Sequence, residues 1–164
     1  MSHLDFLGPD LASADAVWRS PLERALAHAP AGIEDLSRTG VLEVRGELDG
    51  LEAQGAEVVR LTPERALVLC PFEDAGHVRS RLAGAGRRVV DVSAGWAGLR
   101  LRGEALMRRL TDLDLDALPA VGSLAHVHGL VLRDEAETFR LYFPQEYGHS
   151  VAETVLDAAE GLRG

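Results

Sequence analysis

The strongest constraint on the fold is that the order of segments starts again halfway along the chain. Ile33-Glu34-Asp35-Leu36-Ser37 is matched by Val89-Val90-Asp91-Val92-Ser93, with Asp and Ser each displaced by 56 positions. Each copy leads into a short alternating run that closes on Gly-Glu: Val41 to Glu47 in the first, Gly98 to Glu104 in the second. Further on, Leu69-Cys70-Pro71 ahead of Gly76-His77 parallels Tyr142-Phe143-Pro144 ahead of Gly148-His149. Self-similarity of this kind means two related supersecondary units, each leaving an apolar face that the other, or a helix, must cover. The second copy is longer in its middle, where Glu104 to Leu110 reads as a helix and Thr111 to Pro119 as a loop.

The local signals fill in this outline. Ser20-Pro21-Leu22-Glu23 places a capping hydroxyl, a first-turn proline and a Glu at the third helical position, and predicts a short helix over 21–29. Strands are expected at 33–37, 41–44, 57–61 and 66–70, where short apolar segments are split by Gly and Pro. A helix is expected over 73–82, closed by Gly84-Ala85-Gly86, and a last helix over 146–162. Residues 1–17 have no sustained periodicity and read as an N-terminal arm. The remainder, 18–164, is expected to be one α+β domain of two β-β-α-β-β-α units, the first over about 32–86 and the second over about 87–164.

Composition removes whole classes of function. All 17 basic residues are Arg, so a lysine Schiff base, a phosphate-loop Lys and a lysine general base are excluded. A net charge of −9, with no basic run longer than two residues, argues against binding to nucleic acid or an anionic membrane. No apolar run is long enough to span a bilayer. The single Cys70 and the lack of a cationic start followed by an apolar run favour the cytoplasm.

The duplicated order carries a family resemblance. Asp91-x-Ser93, a strand ending in Gly103, a helix, and Leu110-Thr111-Asp112-Leu113-Asp114-Leu115 followed by Gly122 resemble the folate-binding fold of the glycine-cleavage aminomethyltransferase, the T-protein. A narrower likeness rests on Ser20-Pro21-Leu22, Asp112-Leu113-Asp114-Leu115 with Pro119 and Gly122, and Tyr147-Gly148-His149 before Leu156-Asp157-Ala158-Ala159. These look like the gamma subunit of heterotetrameric sarcosine oxidase. The resemblance implies a non-catalytic small subunit of a flavin- and folate-dependent complex that demethylates sarcosine or a related N-methyl amine. It implies that the larger flavoprotein subunits hold the flavin and tetrahydrofolate, and that this chain itself binds neither. Active aminomethyltransferases carry a hairpin with Gly-Gly-x-x-Asp-Asp at the place where this chain runs from Gly122 to Asp134, and that hairpin reads as deleted here. Asp134 follows the strand, so no catalytic role is carried onto it. Two other readings stay open: a freestanding tetrahydrofolate-binding protein or one-carbon transferase, and a stand-alone ligand-binding module.

Few residues suggest chemistry of their own, and none is assigned a catalytic role. His126-x-His128 would put two imidazoles on one strand face, but two ligands without a third make no metal site. Both, with Asp91, are the candidates for contact with a cofactor. Asp35 and Asp91 also suit a structural duty, accepting backbone N–H bonds at a turn. Asp112, Asp114 and Asp116 lack the Gly and distal Glu of a calcium loop. Cys70 closes an apolar run and reads as a small hydrophobe. Trp96, Tyr142, Phe143 and Tyr147 are the candidate partner interface, since aromatic anchors carry much of the energy at protein contacts.

Overall fold

The computed structural model describes residues 18–84 and 86–163. The expected arm over 1–17 and Ala85 of the glycine loop lie outside the described residues. The described residues form nine strands and three α-helices in the order β1 (Ile33–Asp35), β2 (Thr39–Gly46), β3 (Glu57–Thr62), β4 (Arg65–Pro71), α1 (Ala75–Leu82), β5 (Arg87–Asp91), β6 (Trp96–Arg102), α2 (Glu104–Leu110), β7 (Ala120–Leu124), β8 (Val127–Glu135), β9 (Thr138–Pro144) and α3 (Gly148–Glu160). They form an α+β fold with two antiparallel sheets. None of the helices is long and apolar enough to cross a membrane.

The five-stranded sheet has the order β1-β6-β9-β8-β7, and the four-stranded sheet β3-β4-β2-β5. The orders correspond strand for strand apart from β7, and they cross. Strand β1 leaves its sequence neighbours to pair with β6, while β5 turns back to pair with β2.

Alternating side chains divide the core into layers. On the outer face of the five-stranded sheet, Leu99, Leu101, Val131, Leu141 and Phe143 pack with Leu106, Met107, Leu110, Val151 and Val155 of α2 and α3. On the outer face of the other sheet, Leu42, Val44, Ala66 and Val68 meet Ala75, Val78 and Leu82 of α1. Between the sheets, Val41, Val59, Leu67 and Leu69 face Leu130, Leu132 and Tyr142. The sequence of layers is helix, sheet, sheet, helix.

Three expectations need correction. Residues 21–28 form successive turns instead of a helix: Ser20 Oγ accepts from the Leu22 N–H at 3.0 Å, but only the Leu26 N–H to Leu22 C=O bond, at 2.9 Å, has helical spacing. Ala25 and Leu26 still pack against the helix-facing core, and Pro30, which cannot donate a backbone N–H, closes the segment.

The first half has no helix between β2 and β3, so it is not a β-β-α-β-β-α unit. The connection there is a loop that buries Leu48 and Leu51 in the α1 layer. Arginine side chains fasten its carbonyls: Arg60 donates to Leu48 at 2.7 Å, Arg81 to Gln54 at 2.7 Å, and Arg87 to Glu47 and Asp49 at 2.7 and 2.9 Å.

The third correction concerns the hairpin read as deleted. A hairpin is present, β7 paired with β8, joined by the two-residue turn Ala125-His126 with φ of 45° and 68°. Both central residues lie in the left-handed region, as a tight primed turn requires, although neither is Gly or Asn. Residues of that type are the usual sequence signal, so this turn gave none.

Candidate functional site

The repeated Asp-x-Ser segments are where the two halves are tied together. Asp35 Oδ1 accepts from the Ser37 N–H at 2.8 Å, and Asp91 Oδ1 from the Ser93 N–H at 3.0 Å. Each serine hydroxyl then accepts a backbone N–H from across the molecule: Ser37 from Gly98 at 3.3 Å, Ser93 from Val41 at 2.9 Å. Ser93 also donates to Asp91 at 2.6 Å. Backbone bonds reinforce both ties, from the Leu36 N–H to the Gly98 C=O at 2.8 Å and from the Val92 N–H to the Val41 C=O at 2.9 Å. One Asp91 oxygen is thus engaged in holding the turn.

His126 sits in the β7–β8 turn, and His128 on β8 opposite Ser123. Both are exposed, and the structure does not set them together on one strand face as the spacing predicts. Among the described residues, no group of three or more His, Cys, Asp or Glu side chains is arranged to hold a metal ion. The Cys70 thiol is buried and lies 3.8 Å from the Gly40 C=O; burial, then the nearby Asp74 and Asp91, push its pKa up, away from a reactive thiolate.

The aromatic interface divides. Phe143 is wholly buried in the helix-facing core and Tyr142 is 3% exposed, its ring between the sheets at the wall of a cleft, so neither presents an aromatic anchor on the outer surface. They are neighbours on β9, which is covered on both faces, and successive side chains of a strand point to opposite faces. Trp96 is half-buried against the inter-sheet core, while Tyr147 is 48% exposed.

A cleft of about 420 Å³ opens where the apolar contact between the sheets gives out. Leu36, Leu69 and Pro71 supply its apolar wall, and Arg38, Arg100 and Arg140 face Glu57 and Asp134 across it. Strand β9 carries Arg140 inward, where only 16% of its side chain is exposed. Its Nε donates to Asp134 at 2.7 Å and its Nη2 to Glu57 at 2.7 Å, which links the two sheets. Burial works against the Arg140 charge, but the bonds to Glu57 and Asp134 outweigh it and raise the pKa. Asp134 reaches Arg140 because β8 shifts register between Arg133 and Glu135. Gly98 matters here: a Cβ at that position would lie 2.9 Å from the Tyr142 ring, so glycine lets the ring rest on β6.

The residues of this cleft are scattered over six segments of the chain, and sequence reasoning did not assemble them. A bulge and an arginine buried between sheets leave no periodic signature; the only signal was Arg140 among apolar neighbours in Phe139-Arg140-Leu141-Tyr142.

Fold and site together define an α+β domain of two stacked antiparallel sheets, with a charged cleft at their junction and no assembled metal centre among the described residues. The chain is similar to a chain of heterotetrameric sarcosine oxidase from Corynebacterium sp. U-96, solved in complex with pyrrole 2-carboxylate: the TM-score is 0.72 at 19% identity, over 90% of this chain and 97% of that one. It is also similar to aminomethyltransferase T of the glycine cleavage system from Bartonella henselae, with a TM-score of 0.53 at 14% identity over 82% of this chain but only 48% of that one. The regulatory subunit of aspartate kinase from Thermus thermophilus, in ligand-free form, gives a TM-score of 0.51 at 12% identity, over 78% of this chain and 97% of that one. Both families that the residue pattern resembles are therefore represented among its structural neighbours. At these identities the likeness is one of fold. No family profile matches the sequence, and no curated protein does.

Proposed function

We propose that this chain is a non-catalytic, gamma-like subunit of a heteromeric oxidase of sarcosine or a related N-methyl amine. Larger flavoprotein subunits in the cytoplasm would hold the flavin and tetrahydrofolate, and this chain would serve as a scaffold. The observation that carries the reading is the end-to-end correspondence with a chain of heterotetrameric sarcosine oxidase, 90% of this chain against 97% of that one. The aminomethyltransferase, in contrast, uses a comparable fold as about half of a longer chain. The tight Ala125-His126 turn also has no acidic residue to stand in for the Asp-Asp pair of active transferases.

The reading of the chain as an internal duplication is supported by the corresponding strand orders and the matched Asp-x-Ser ties. Residues 18–164 read as one domain because each half supplies a strand to the other half's sheet. Tyr147 remains a candidate contact with a partner, with Trp96 paired to Pro144 at the start of the 3-10 turn that ends in Tyr147.

Affinity capture of the tagged chain from its host, followed by mass spectrometry and a visible spectrum, tests the proposal. Stoichiometric recovery of larger subunits with flavin absorption is expected, and a colourless chain without partners would overturn it. Within such a complex, Tyr147→Ala is expected to weaken assembly by tenfold or more while leaving the melting temperature of the isolated chain unchanged, as for an exposed anchor of about 1.4 kcal/mol or more. Unchanged assembly with a lowered melting temperature would make Tyr147 a folding residue.

A further inference from the structure

The cleft between the sheets holds more hydrogen-bond donors than its own acceptors engage. Arg140 commits Nε and Nη2 to carboxylates and keeps its Nη1 donors uncommitted to a carboxylate. Arg100 gives one Nη1 bond to Glu34, at 3.1 Å, and its Nε stands 3.9 Å from Asp134, beyond hydrogen-bond reach. Arg38 has no hydrogen-bond or ion-pair partner among the described residues, and it lines the same cleft. A guanidinium offers five donors and no acceptor, so three of them against Glu57, Asp134 and the Glu34 bonded to Arg100 balance in charge but leave an excess of donors, with Arg38 unengaged.

We propose that this cleft binds a small organic carboxylate, with the anion held by Arg38 and Arg100 and a short hydrocarbon body lying on Leu36, Leu69 and Pro71. Three arguments select this ligand class. The unspent groups are donors and the acceptors already serve Arg140, which favours an anion over an amine or a zwitterion. Arginine matches a carboxylate in the bidentate geometry that gives the stronger charge-assisted bonds. A volume of about 420 Å³ with an apolar wall suits a small molecule. The ion pairs of Arg140 supply a preorganised floor, since that side chain is fixed before any ligand arrives. Arg38 lies between β1 and β2, and Arg100 is on β6 of the five-stranded sheet, so a bound anion would fasten the junction and stabilise the whole fold.

The test is a titration of the purified full chain with propionate, and with propionamide as its neutral counterpart, at an ionic strength held constant with chloride. Backbone amide shifts and melting temperature are the readouts. Saturable binding of propionate is expected, with shifts centred on Arg38, Thr39 and Arg100, a raised melting temperature, and no response to propionamide. Arg38→Gln and Arg100→Gln are each expected to weaken binding by about tenfold, the loss of one hydrogen bond to a charged group. Arg108→Gln, on the exposed face of α2, is expected to bind as the parent does. The proposal is overturned by any of four results: no saturable binding, an equal response to propionamide, shifts centred elsewhere, or binding retained in both cleft variants. Phosphate titrated in parallel separates the source of the anion, and phosphate bound more tightly than propionate would overturn the carboxylate assignment. None of these readouts depends on a partner subunit, so they stand or fall apart from the proposed assembly.

Discussion

The two sheets share a strand order and treat their polar stations in opposite ways. Glu43 on β2 and Arg100 on β6 are 57 positions apart, each at the same place in its run, and they carry opposite charges. Glu43 is gripped by two arginines, Arg45 at 2.6 Å and Arg65 at 2.7 Å, and is largely buried by them. Arg100, in contrast, has one carboxylate at 3.1 Å and a second at 3.9 Å, and 41% of its side chain stays exposed. The outer layers differ too: α2 and α3 cover one sheet, while α1 and a loop fastened by arginines cover the other. A common framework therefore does not fix chemistry. One half has closed its ion cluster on itself, and the other has left a cleft.

The sharpest way to test that difference is in the outer cores. Phe143 and Cys70 occupy matched strand positions, Phe143 opposite Ala97 and Cys70 opposite Gly40. Phe143→Ala is expected to lower unfolding free energy by about 3–5 kcal/mol, since the ring is fully enclosed by α2 and α3. Cys70→Ala removes a single sulfur and is expected to cost about 1 kcal/mol. Urea unfolding of both variants checks this, and equal losses would mean that the two helix layers are packed alike.

A middle-sized effect probes the paired serine ties. Ser93→Ala is expected to destabilise by about 1–3 kcal/mol, because a buried N–H of Val41 loses its partner. Ser37→Ala is expected to cost less, as its bond from Gly98 is longer, 3.3 Å against 2.9 Å, and its hydroxyl has no bond to Asp35 matching that of Ser93 to Asp91. Thermal melts of the two single variants rank them, and the reverse order would break the comparison.

The smallest effect is one of pH. Burial raises the pKa of Glu43, but hydrogen bonds from Arg45 and Arg65 outweigh it and hold the carboxyl below its ordinary value of 4.5. A carboxylate depressed in the folded state contributes stability that is fully present above its unfolded pKa and is lost as pH falls through the folded one. Stability measured by urea titration is therefore expected to fall less steeply below pH 4.5 in Glu43→Gln than in the parent chain. An identical slope would show that the arginine grip on Glu43 is without consequence.

Much of this framework could be read along the chain, because its signals are local. Glu104 to Leu110 is a helix at the expected residues, and the strands β2, β3 and β4 fall on the short apolar runs. The Asp-x-Ser turns also act as their chemistry suggests, through bonds that span two residues. Where the reading failed, the deciding contact was distant. Pairing of β1 with β6 joins residues more than sixty positions apart, and nothing within Ile33-Glu34-Asp35 specifies that partner. Tyr142 and Phe143 pattern as an exposed aromatic cluster until β9 is known to lie inside a sheet that is covered on both faces. Arg38, Arg100 and Arg140 look like solvated charges one at a time, and only the junction of the sheets gathers them.

The crossing of β1 and β5 makes the two halves behave as a clasp. A chain opened between Gly84 and Gly86 would yield two fragments, and each would carry one strand that completes the other's sheet. Neither fragment alone would satisfy its own sheet edge, yet mixed together they would have every native strand pairing available without a covalent link. The fold is in this sense a self-complementing pair, and a split version of the protein should reconstitute upon mixing.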